Sequence, residues 1–360
     1  MRILFADGTK GYSPDRLKAQ PTGGIATSLT IIPRYLAAKG HEVYVKSLYD
    51  SDGVVEGVNF LKKSASSPPV DVVVLNRNML RRDSVAAINA RGARVIWWLH
   101  DIVDHRYLQD DSFKGIQHIV SLSDYCTRTY SDFYDLPRDR FTVIPNGVDR
   151  SVWYPGDYTN RDPRLFVYAS APVKGYAPLA FTMHNLARKV KGLDFRIYSS
   201  QGLHDLEDRP ITKAWLHDMA GMGANVSNPI PQRDLADVFR KAWVLLMPND
   251  YPEICSNLIL QAQACGLPVV TSPIGSASEF IEHGKTGLLT TYFPHDKYMW
   301  WVDFTRQVMS LVEDKSLHRK VSEESVDRPV TWDEVCGKWE EYVESVVGKA
   351  DRLIGLCKVS

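Results

Sequence analysis

The stretch Pro252–Val270, PEICSNLILQAQACGLPVV, joins a short polar loop to a helix-length segment and then to an apolar strand. Ser256 predicts the start of a helix over residues 257–265, because serine side chains cap the amino ends of helices. Gly266 then tolerates the left-handed backbone that often ends a helix, and Pro268 leads into the strand. This order of loop, helix and strand is typical of an α/β unit with parallel strands.

Two polar side chains flank the start of this helix. Glu253 lies in the loop before it, and Gln261 lies about one turn inside it. Leu258, Ala262 and Cys265 have the spacing of one helix face and predict its packing stripe. Glu253 and Gln261 can therefore face one ligand, although two residues at this spacing also arise by chance.

The alternation of strands and helices extends in both directions from this stretch. Apolar, β-branched and aromatic runs predict strands at residues 2–6, 41–47, 71–76, 94–99, 117–121 and 141–144, and again at 165–170, 194–199, 243–247, 268–272 and 287–289. The polar, Pro- and Gly-containing stretch 146–163 predicts a linker. The fold class is therefore predicted as α/β, with two doubly wound Rossmann-like domains facing a cleft, because ligands bind beyond the carboxyl ends of parallel strands.

Composition excludes several classes of protein. The 360 residues carry zero net charge, with 44% hydrophobic and 24% charged residues, so they fit a globular protein with more than one core and give no field that favours nucleic acid. The five cysteines form no CxxC pair, which argues against a disulfide framework or a zinc site. We find no signal peptide and no apolar run of membrane-spanning length, and we predict a cytoplasmic location.

Three further features are candidates for ligand contacts. Gly23 and Gly24 open a predicted helix, where paired glycines let a phosphate approach backbone amides, but where they could equally form a simple turn. His100 follows the fourth predicted strand, and Lys174 follows the first strand of the second domain. Either side chain could also be structural or merely solvated. The absence of a GxGxxG motif after a strand argues against a dehydrogenase.

A basic segment in the first domain raises the question of a membrane partner. Residues 76–94 carry one acid, Asp83, and five arginines, which are Arg77, Arg81, Arg82, Arg91 and Arg94. A basic amphipathic surface can lie on anionic lipid, and this predicts weak peripheral membrane contact. A solvated helix face explains the same pattern and is the simpler interpretation.

Several motifs together resemble glycosyltransferase family four, the large retaining group with a GT-B fold. They are TGGIA (22–26), WLHD (98–101), IVSLSDYC (119–126), VIPNGVD (143–149), KG (174–175), the opening stretch, and TSPIGSASEFIEHGKTGLL (271–289). The resemblance extends from the first strand to about Leu289 and is most specific in the second half, where the motifs occur in the order and spacing of the family.

The resemblance implies a role for each matching residue. Glu253 would contact hydroxyls of a donor sugar, Lys174 would hold the diphosphate, and His100 would reach the donor sugar from the first domain. Gln261 stands where the family has a second Glu on the ribose. The catalytic residues implied are thus Glu253, Lys174 and His100. The donor-binding residues implied are Gly23, Gly24, Ser170, Gln261, Ile254, Cys255, Ser256, Asn257 and Leu258.

The resemblance also implies the domain roles. Residues 1–150 would form the acceptor-side domain, residues 151–337 the nucleotide-sugar donor domain, and the helix 338–360 would pack back on the first domain. Two positions depart from the family pattern. No cation occupies Ala169–Ala171, where an Arg often stands, and Gln261 replaces a Glu. We expect the amide to weaken donor binding modestly or to change nucleotide preference, since it still accepts a hydrogen bond.

The implied function is retaining transfer of a sugar from a nucleotide-diphosphate sugar to a hydroxyl of a glycan or lipid-linked acceptor. No DxD motif follows a strand, so the sequence predicts no metal and no cofactor, with Lys174 and helix amides stabilising the leaving diphosphate. Front-side attack and a covalent intermediate both remain open. The alternatives are a catalytically silent sugar-nucleotide-binding protein and a sugar-nucleotide epimerase of the same fold. Nucleic acid is not an expected partner.

Overall fold

The structure is a computed structural model that describes residues 1–7, 21–46, 53–62, 64–76, 82–103, 113, 115–171, 174–200, 202 and 207–357, with the backbone alone at 82–84 and 349–357. The chain divides into two compact units. The first unit comprises Met1–Leu17, Gly24–Asn146 and Trp332–Ser360, and the second comprises Lys18–Gly23 and Gly147–Thr331. Each unit is an α/β unit built on one sheet, which confirms the predicted fold class.

The first unit contains an eight-stranded sheet in the order β3-β4-β2-β1-β5-β6-β7-β8. Its strands are β1 (Arg2–Asp7), β2 (Glu42–Lys46), β3 (Gly53–Val55), β4 (Val58–Leu61), β5 (Val72–Asn76), β6 (Arg94–Trp98), β7 (His118–Ser121) and β8 (Phe141–Val143). Every neighbouring pair is parallel except β3 with β4. The central strand β5 is buried along its whole length, as expected for a parallel sheet covered on both faces.

Within the described residues, four helices of the first unit pack around this sheet. They are α1 (Gly24–Ala38), α2 (Arg82–Ala90), α3 (Asp124–Tyr134) and the long last helix α11 (Trp332–Cys357). Trp339 of α11 lies 4.7 Å from Trp98 and 6.3 Å from Phe5 between ring centroids, so α11 covers the sheet face to which these two rings point. Trp97 points to the opposite face and contacts Tyr130 of α3 at 5.4 Å.

The second unit contains a six-stranded, fully parallel sheet in the order β11-β10-β9-β12-β13-β14. Its strands are β9 (Leu165–Tyr168), β10 (Asp194–Tyr198), β11 (Asn225–Ser227), β12 (Val244–Met247), β13 (Val269–Thr271) and β14 (Leu288–Leu289). Its helices are α4 (Tyr176–Lys189), α5 (Pro210–Gly221), α6 (Gln232–Lys241), α7 (Asn257–Ala264), α8 (Ala277–Phe280), α9 (Lys297–Glu313) and α10 (Lys315–Ser325).

The core of the second unit consists of two layers, one on each face of this sheet. Val167 and Leu245 belong to the layer with α6 and α7, whereas Phe166, Val244 and Val270 belong to the layer with α4 and α9. Successive strand residues thus alternate between the two layers, as the pleat of a strand requires. This arrangement explains why the strands of the unit are nearly continuous apolar runs.

The structure contains a strand at every position that the sequence predicted, and it adds three short ones. β3 and β4 form an antiparallel hairpin at the edge of the first sheet, and β11 lies at the edge of the second. Edge strands this short lack the apolar run on which the prediction relied. None of the described helices has both the length and the apolar character of a membrane span.

The stretch 146–163 differs from the predicted linker, because most of it packs on the second unit. Val148 donates a backbone hydrogen bond to Val330 at 2.9 Å, and Trp153 is 1% exposed with its ring 5.7 Å from that of Phe239. The chain enters the second unit here after Asn146 and returns to the first unit at Trp332. Isolated apolar residues such as Val148 and Trp153 have no period, so the sequence pattern could not reveal their burial.

A buried histidine joins α10 to the second sheet. The ring of His318 is stacked on that of Trp243 at 3.6 Å, its Nε2 lies 2.8 Å from the Trp243 carbonyl oxygen, and its Nδ1 lies 3.0 Å from the Tyr158 hydroxyl. Burial lowers the pKa of His318 from 6.5 to about 4, and the nearby Arg161 guanidinium acts in the same direction. The fold therefore holds this imidazole in its neutral form.

We expect His318 to make the second unit less stable in acid. Below pH 6.5 the unfolded histidine takes up a proton, whereas folded His318 does so only near pH 4, so acidification between these values favours unfolding. The full shift corresponds to about 3 kcal/mol of unfolding free energy.

Urea unfolding at pH 4.5 and pH 7 measures this effect. His318→Gln should reduce the difference in unfolding free energy between the two pH values, and the exposed control His184→Gln should leave it as in the wild type. The same pH dependence in all three proteins would contradict the interpretation.

Candidate active site

The candidate site of the second unit lies where the order of its strands reverses. The chain runs outward from β9 to β10 and β11, and then returns to form β12 on the other side of β9. Such a reversal leaves a crevice at the carboxyl ends of the two central strands, where ligands bind in open α/β sheets. Lys174 follows β9 and Glu253 follows β12, so both predicted residues lie at this crevice.

Lys174 and Glu253 form an ion pair between the Lys174 ammonium and Glu253 Oε1. Their side chains are 21% and 20% exposed, so the pair is partly withdrawn from water and the attraction is stronger than at an open surface. Lys174 Nζ also lies 5.0 Å from the centre of the Tyr251 ring, on whose face a cation is favourable. The structure thus brings the two predicted catalytic residues of this unit into direct contact.

The second carboxylate oxygen of Glu253, Oε2, is buried. Among the residues that the structure describes, no hydrogen-bond donor reaches it. A buried acceptor without a donor costs free energy, and most such groups in proteins are satisfied. This oxygen is therefore a specific point at which a ligand hydroxyl could donate a hydrogen bond.

The backbone of Glu253 is fixed by the loop that follows β13. The Ser276 N–H and hydroxyl both donate to the Glu253 carbonyl oxygen, at 2.9 and 3.0 Å. Gly275 adopts a φ of +62°, and a Cβ at this position would lie 2.3 Å from the same oxygen. Only glycine lets the two loops approach so closely, so Gly275 and Ser276 position the carboxylate.

A second close approach fixes the loop that carries Lys174. Gly175 has a φ of +73°, and a Cβ there would lie 1.6 Å from the Pro248 carbonyl oxygen. The buried Tyr168 hydroxyl lies within hydrogen-bonding distance of the Ala171 and Lys174 carbonyl oxygens, at 2.7 and 2.8 Å. Sequence reasoning missed the roles of Tyr168 and Ser276, although Ser276 lies inside the motif at residues 271–289 and Tyr168 shortly precedes Lys174.

Helix α7 begins directly after the Glu253 loop. Ser256 is buried and is the residue that precedes the helix, as predicted, but among the described residues its side chain makes no capping hydrogen bond. Its backbone, with a φ of −85° and a ψ of 109°, is extended as in a cap, yet the hydroxyl does not serve the first-turn amides. Amides at a helix start favour a negative charge, and α7 presents such a start at the crevice.

The predicted packing stripe of α7 is only part of its buried surface. Ala262 and Cys265 are fully buried, as expected, while Leu258 is half-buried and Ile259 and Leu260 are buried as well. Gly266 has the predicted left-handed backbone, with a φ of +65°. The remaining predicted donor-binding residues around this helix are Ile254 (buried), Cys255, Asn257 and Gln261 (all half-buried), and Ser170, which follows β9.

The side-chain amide of Gln261 makes no hydrogen bond among the residues that the structure describes. It lies in the second turn of α7 and is half-buried. The amide is thus open to a ligand, in the position where the resemblance implies a ribose contact. Whether Gln261 binds a ribose stays a prediction.

The remaining predicted residues belong to or adjoin the first unit. Gly24 begins α1, and Gly23 precedes it. His100 follows β6, with its ring 4.2 Å from that of Trp98. Of the basic segment, Arg77 and Arg81 lie outside the described residues, and α2 begins at Arg82. Membrane contact stays a prediction.

One group of possible metal ligands occurs among the described residues. His41, Glu340 and Glu344 place their ligand atoms within 4.8 Å of one another in the first unit. Positively charged groups of the chain already contact two of these residues. Lys39 Nζ lies 3.9 Å from Glu340, and the terminal amino group lies 3.4 Å from His41 Nδ1. His41 precedes β2 and is therefore at the amino edge of the sheet, away from the strand ends that bind ligands.

The two doubly wound sheets are the architecture of the GT-B fold, and the ion pair lies at the reversal point of the second sheet. Residues 163–303 match the family model described as glycosyl transferases group 1. These residues contain β9, β12, Lys174 and Glu253. The match confirms the predicted resemblance to glycosyltransferase family four.

The curated relatives carry the same class of name. The chain is 27% identical over 265 residues to a D-inositol 3-phosphate glycosyltransferase of Stackebrandtia nassauensis, covering 64% of this chain and 57% of the relative. It is 27% identical over 221 residues to an alpha-maltose-1-phosphate synthase of Mycolicibacterium smegmatis, covering 55% and 54%. The chain spans about half the length of these curated relatives.

Solved structures match over nearly the whole chain. A sucrose-phosphate synthase from Thermosynechococcus elongatus has a TM-score of 0.75 at 14% identity and covers 97% of this chain and 100% of its own. HepE of Anabaena in complex with UDP has a TM-score of 0.72 at 15% identity and covers 96% and 100%. At these identities the likeness establishes the GT-B fold.

We expect Gly175→Ala to disrupt the site by forcing Lys174 away from Glu253. The added methyl group would clash with the Pro248 carbonyl oxygen, and alanine is strained in the left-handed backbone of this position. We therefore expect a loss of at least about 2 kcal/mol in unfolding free energy. Gly221→Ala is the matched control, because a Cβ there meets no atom within 4 Å. Urea unfolding of both variants is the measurement, and equal stability would contradict the close approach.

Proposed function

We propose that this chain is a retaining glycosyltransferase that moves a sugar from a nucleotide-diphosphate sugar to an acceptor hydroxyl. The observation that carries the proposal is the pairing of Lys174 with Glu253 at the reversal point, where the buried Glu253 Oε2 has no hydrogen-bond donor in the described part of the chain. A cation suits a diphosphate, and an open carboxylate oxygen suits a sugar hydroxyl. A donor of this class presents both groups in one molecule.

The chemistry of transfer needs the charges that the second unit supplies. Breaking the bond between the anomeric carbon and the diphosphate oxygen leaves positive character on the sugar and negative character on the diphosphate. The Lys174 ammonium and the amides at the start of α7 would stabilise the leaving diphosphate. Preorganised groups of this kind stabilise the transition state more than the ground state, because the charge develops during the reaction.

The ion pair also stabilises the second unit when no sugar nucleotide is bound. Lys174 and Glu253 neutralise each other while partly shielded from water, so neither charge is left without compensation. A bound donor would present its diphosphate to Lys174 and its sugar hydroxyls to both oxygens of Glu253. Lys174 and Glu253 would then contact two parts of the same substrate molecule.

The same groups support the proposal that transfer needs neither a metal nor a cofactor. In many transferases a divalent cation neutralises the diphosphate, and here the ammonium and the helix amides can supply that stabilisation. His100, Gly23 and Gly24 would complete the donor contacts, as the family resemblance implies. A glycan or lipid-linked molecule would be the acceptor.

The names of similar proteins guide the choice of probes. HepE of Anabaena forms complexes with UDP and with UDP-glucose, so UDP-glucose is the first donor to test in a panel of nucleotide sugars. A donor that binds only the folded state raises the midpoint of thermal unfolding, and this measurement identifies the sugar and base without knowledge of the acceptor.

We expect Glu253→Gln and Lys174→Met each to reduce transfer by about 100-fold or more, because each change removes a charged contact to the reacting donor. Release of nucleoside diphosphate from the donor found in the panel, in buffer with EDTA, is the measurement. Glu282→Gln and Lys285→Met are the matched controls, since this exposed ion pair in the same unit lies at 3.1 Å. The controls should keep wild-type rates.

Other outcomes of this assay would favour the alternatives. If the donor binds but no acceptor causes release of nucleoside diphosphate, the protein is a silent binding protein. If the donor sugar is converted in the absence of an acceptor, the protein is an epimerase. Loss of activity in EDTA would contradict metal independence. The anomeric configuration of the product, read by NMR, tests retention.

Gln261→Glu tests the ribose contact. A carboxylate accepts hydrogen bonds from ribose hydroxyls at least as well as an amide, so we expect donor affinity to be kept or improved. Isothermal titration with the donor is the measurement. A collapse of binding would show that Gln261 does not occupy the position that the family resemblance assigns to it.

A further inference from the structure

A largely apolar cavity of about 730 Å³ lies on one face of the first sheet. Its floor consists of apolar side chains of the two central strands, which are Leu4 and Ala6 of β1 and their register partners Val73 and Leu75 of β5. Ile88 of α2 and Val347 of α11 also line it. The volume falls within the range of pockets that hold small molecules.

The floor of the cavity is recessed below the surface of the first unit. Leu4 is 5% exposed and Val73 is 4% exposed, whereas the preceding residues Ile3 and Val72 are fully buried. Successive side chains point to opposite faces of a sheet, so the residual exposure belongs to the face that carries the cavity. The flat surface of a bilayer cannot reach side chains this deep, but a narrow alkyl chain can.

The charged side chains that line the cavity are mostly cations. Among the described residues they are Arg2, Lys46, Arg91, Arg94 and one acid, Asp71. Arg2 Nη2 donates to Asp71 Oδ1 at 3.0 Å, and the Lys46 ammonium donates to the Ala65 carbonyl oxygen at 2.6 Å. The carboxylate and two of the four cations are therefore already engaged within the unit.

Arg91 and Arg94 are the two remaining cations. Their guanidinium groups make no hydrogen bond and no ion pair among the residues that the structure describes. Arg91 is exposed just after α2, and Arg94 is half-buried as the first residue of β6. Gly92, with a φ of +81°, turns the chain between them. Both arginines thus lie at the amino edge of the sheet, at one end of the cavity.

An anion with an apolar tail matches this combination of groups. A guanidinium presents a planar fork of N–H donors, which suits phosphate and carboxylate oxygens. A phosphate monoester carries nearly two negative charges and three acceptor oxygens at neutral pH, so one phosphate can serve both arginines. The apolar floor gains free energy only from a group that excludes water from it, such as an alkyl chain.

We propose that this cavity binds one molecule of a single-chain amphiphile with a phosphate head group. The phosphate contacts Arg91 and Arg94, and the alkyl chain runs along Leu4, Val73 and Leu75. The site is independent of the proposed function. Its charged end lies at the amino edge of the first sheet, whereas the candidate donor contact His100 follows a strand at the carboxyl edge.

Isothermal titration of the full chain with decyl phosphate, below its critical micelle concentration, tests the proposal. We expect saturable binding of one molecule per chain. 1-Decanol should bind at least about tenfold more weakly, because it cannot form charge-assisted hydrogen bonds. Octyl phosphate should also bind about tenfold more weakly, since each methylene group contributes about fourfold in affinity. Inorganic phosphate should bind at least about 100-fold more weakly.

Three results with these probes would overturn the proposal. They are the absence of saturable binding by decyl phosphate, equal affinity for decyl and octyl phosphate, and equal affinity for decyl phosphate and inorganic phosphate. The second result would mean that the chain is not buried, and the third that the site holds a simple anion.

Arg91→Gln and Arg94→Gln test the head-group contacts. Each should weaken decyl phosphate binding at least about fivefold and leave 1-decanol binding unchanged, because only the phosphate uses the guanidinium. Arg138→Gln is the matched control, since this arginine of the same unit is 59% exposed and does not line the cavity. Equal affinity for decyl phosphate in all three variants would contradict the assignment.

Ala6→Leu tests the position of the chain. The added atoms fill part of the floor, so decyl phosphate and 1-decanol should both bind at least about tenfold more weakly. The midpoint of thermal unfolding should stay the same or rise, because filling a cavity restores packing. Wild-type affinity in a folded Ala6→Leu protein would show that the chain lies elsewhere, and would overturn the proposal.

Two further measurements exclude other binding modes. Lys174→Met should keep wild-type affinity for decyl phosphate, and a loss of binding would place the phosphate at the candidate active site of the second unit. Co-sedimentation with vesicles of equal parts dioleoyl phosphatidic acid and dioleoyl phosphatidylcholine tests contact with a membrane surface. Sedimentation that depends on Arg91 and Arg94, without binding of monomeric decyl phosphate, would assign the arginines to a bilayer and overturn the proposal.

Discussion

The return of the chain to the central strand of each sheet is the constraint on which the rest of the structure depends. In the second unit this return makes β12 a neighbour of β9, and only then can Lys174 meet Glu253 across a separation of 79 residues. Right-handed crossovers and parallel pairing leave few other ways to bury the apolar strands. The ion pair is thus a consequence of how the core is buried.

Glycine allows the loops at the reversal point of the second sheet to approach each other closely. Loops from β9, β12 and β13 must converge within hydrogen-bonding distance, and side chains at the contact points would hold them apart. Gly175 against Pro248, and Gly275 against Glu253, are left-handed positions where a Cβ would overlap a backbone oxygen. The precise placement of the charged side chains therefore comes from two residues that have no side chain.

The sequence predicted much of the second unit because the relevant features are local there. The buried parallel strands are continuous apolar runs, and the Glu253 loop, α7 and Gly266 follow one another within a single short segment. What the sequence did not predict depends on distant contacts. Ser256 precedes the helix as predicted, but its burial does not direct its hydroxyl to the first-turn amides, and the burial of Trp153 depends on Phe239, which is far along the chain. Asn76 ends a correctly predicted strand, yet the sequence could not show that its buried amide has no hydrogen-bond partner among the described residues.

The two reversal points differ in charge. The second unit places an ammonium and a carboxylate at its crevice. The first ends the two strands at its reversal point in Asp7 and Asn76, which are both buried. One topology repeated twice can therefore present chemically unlike groups, because the strand ends fix where the polar groups lie while the residues at those ends decide which groups they are.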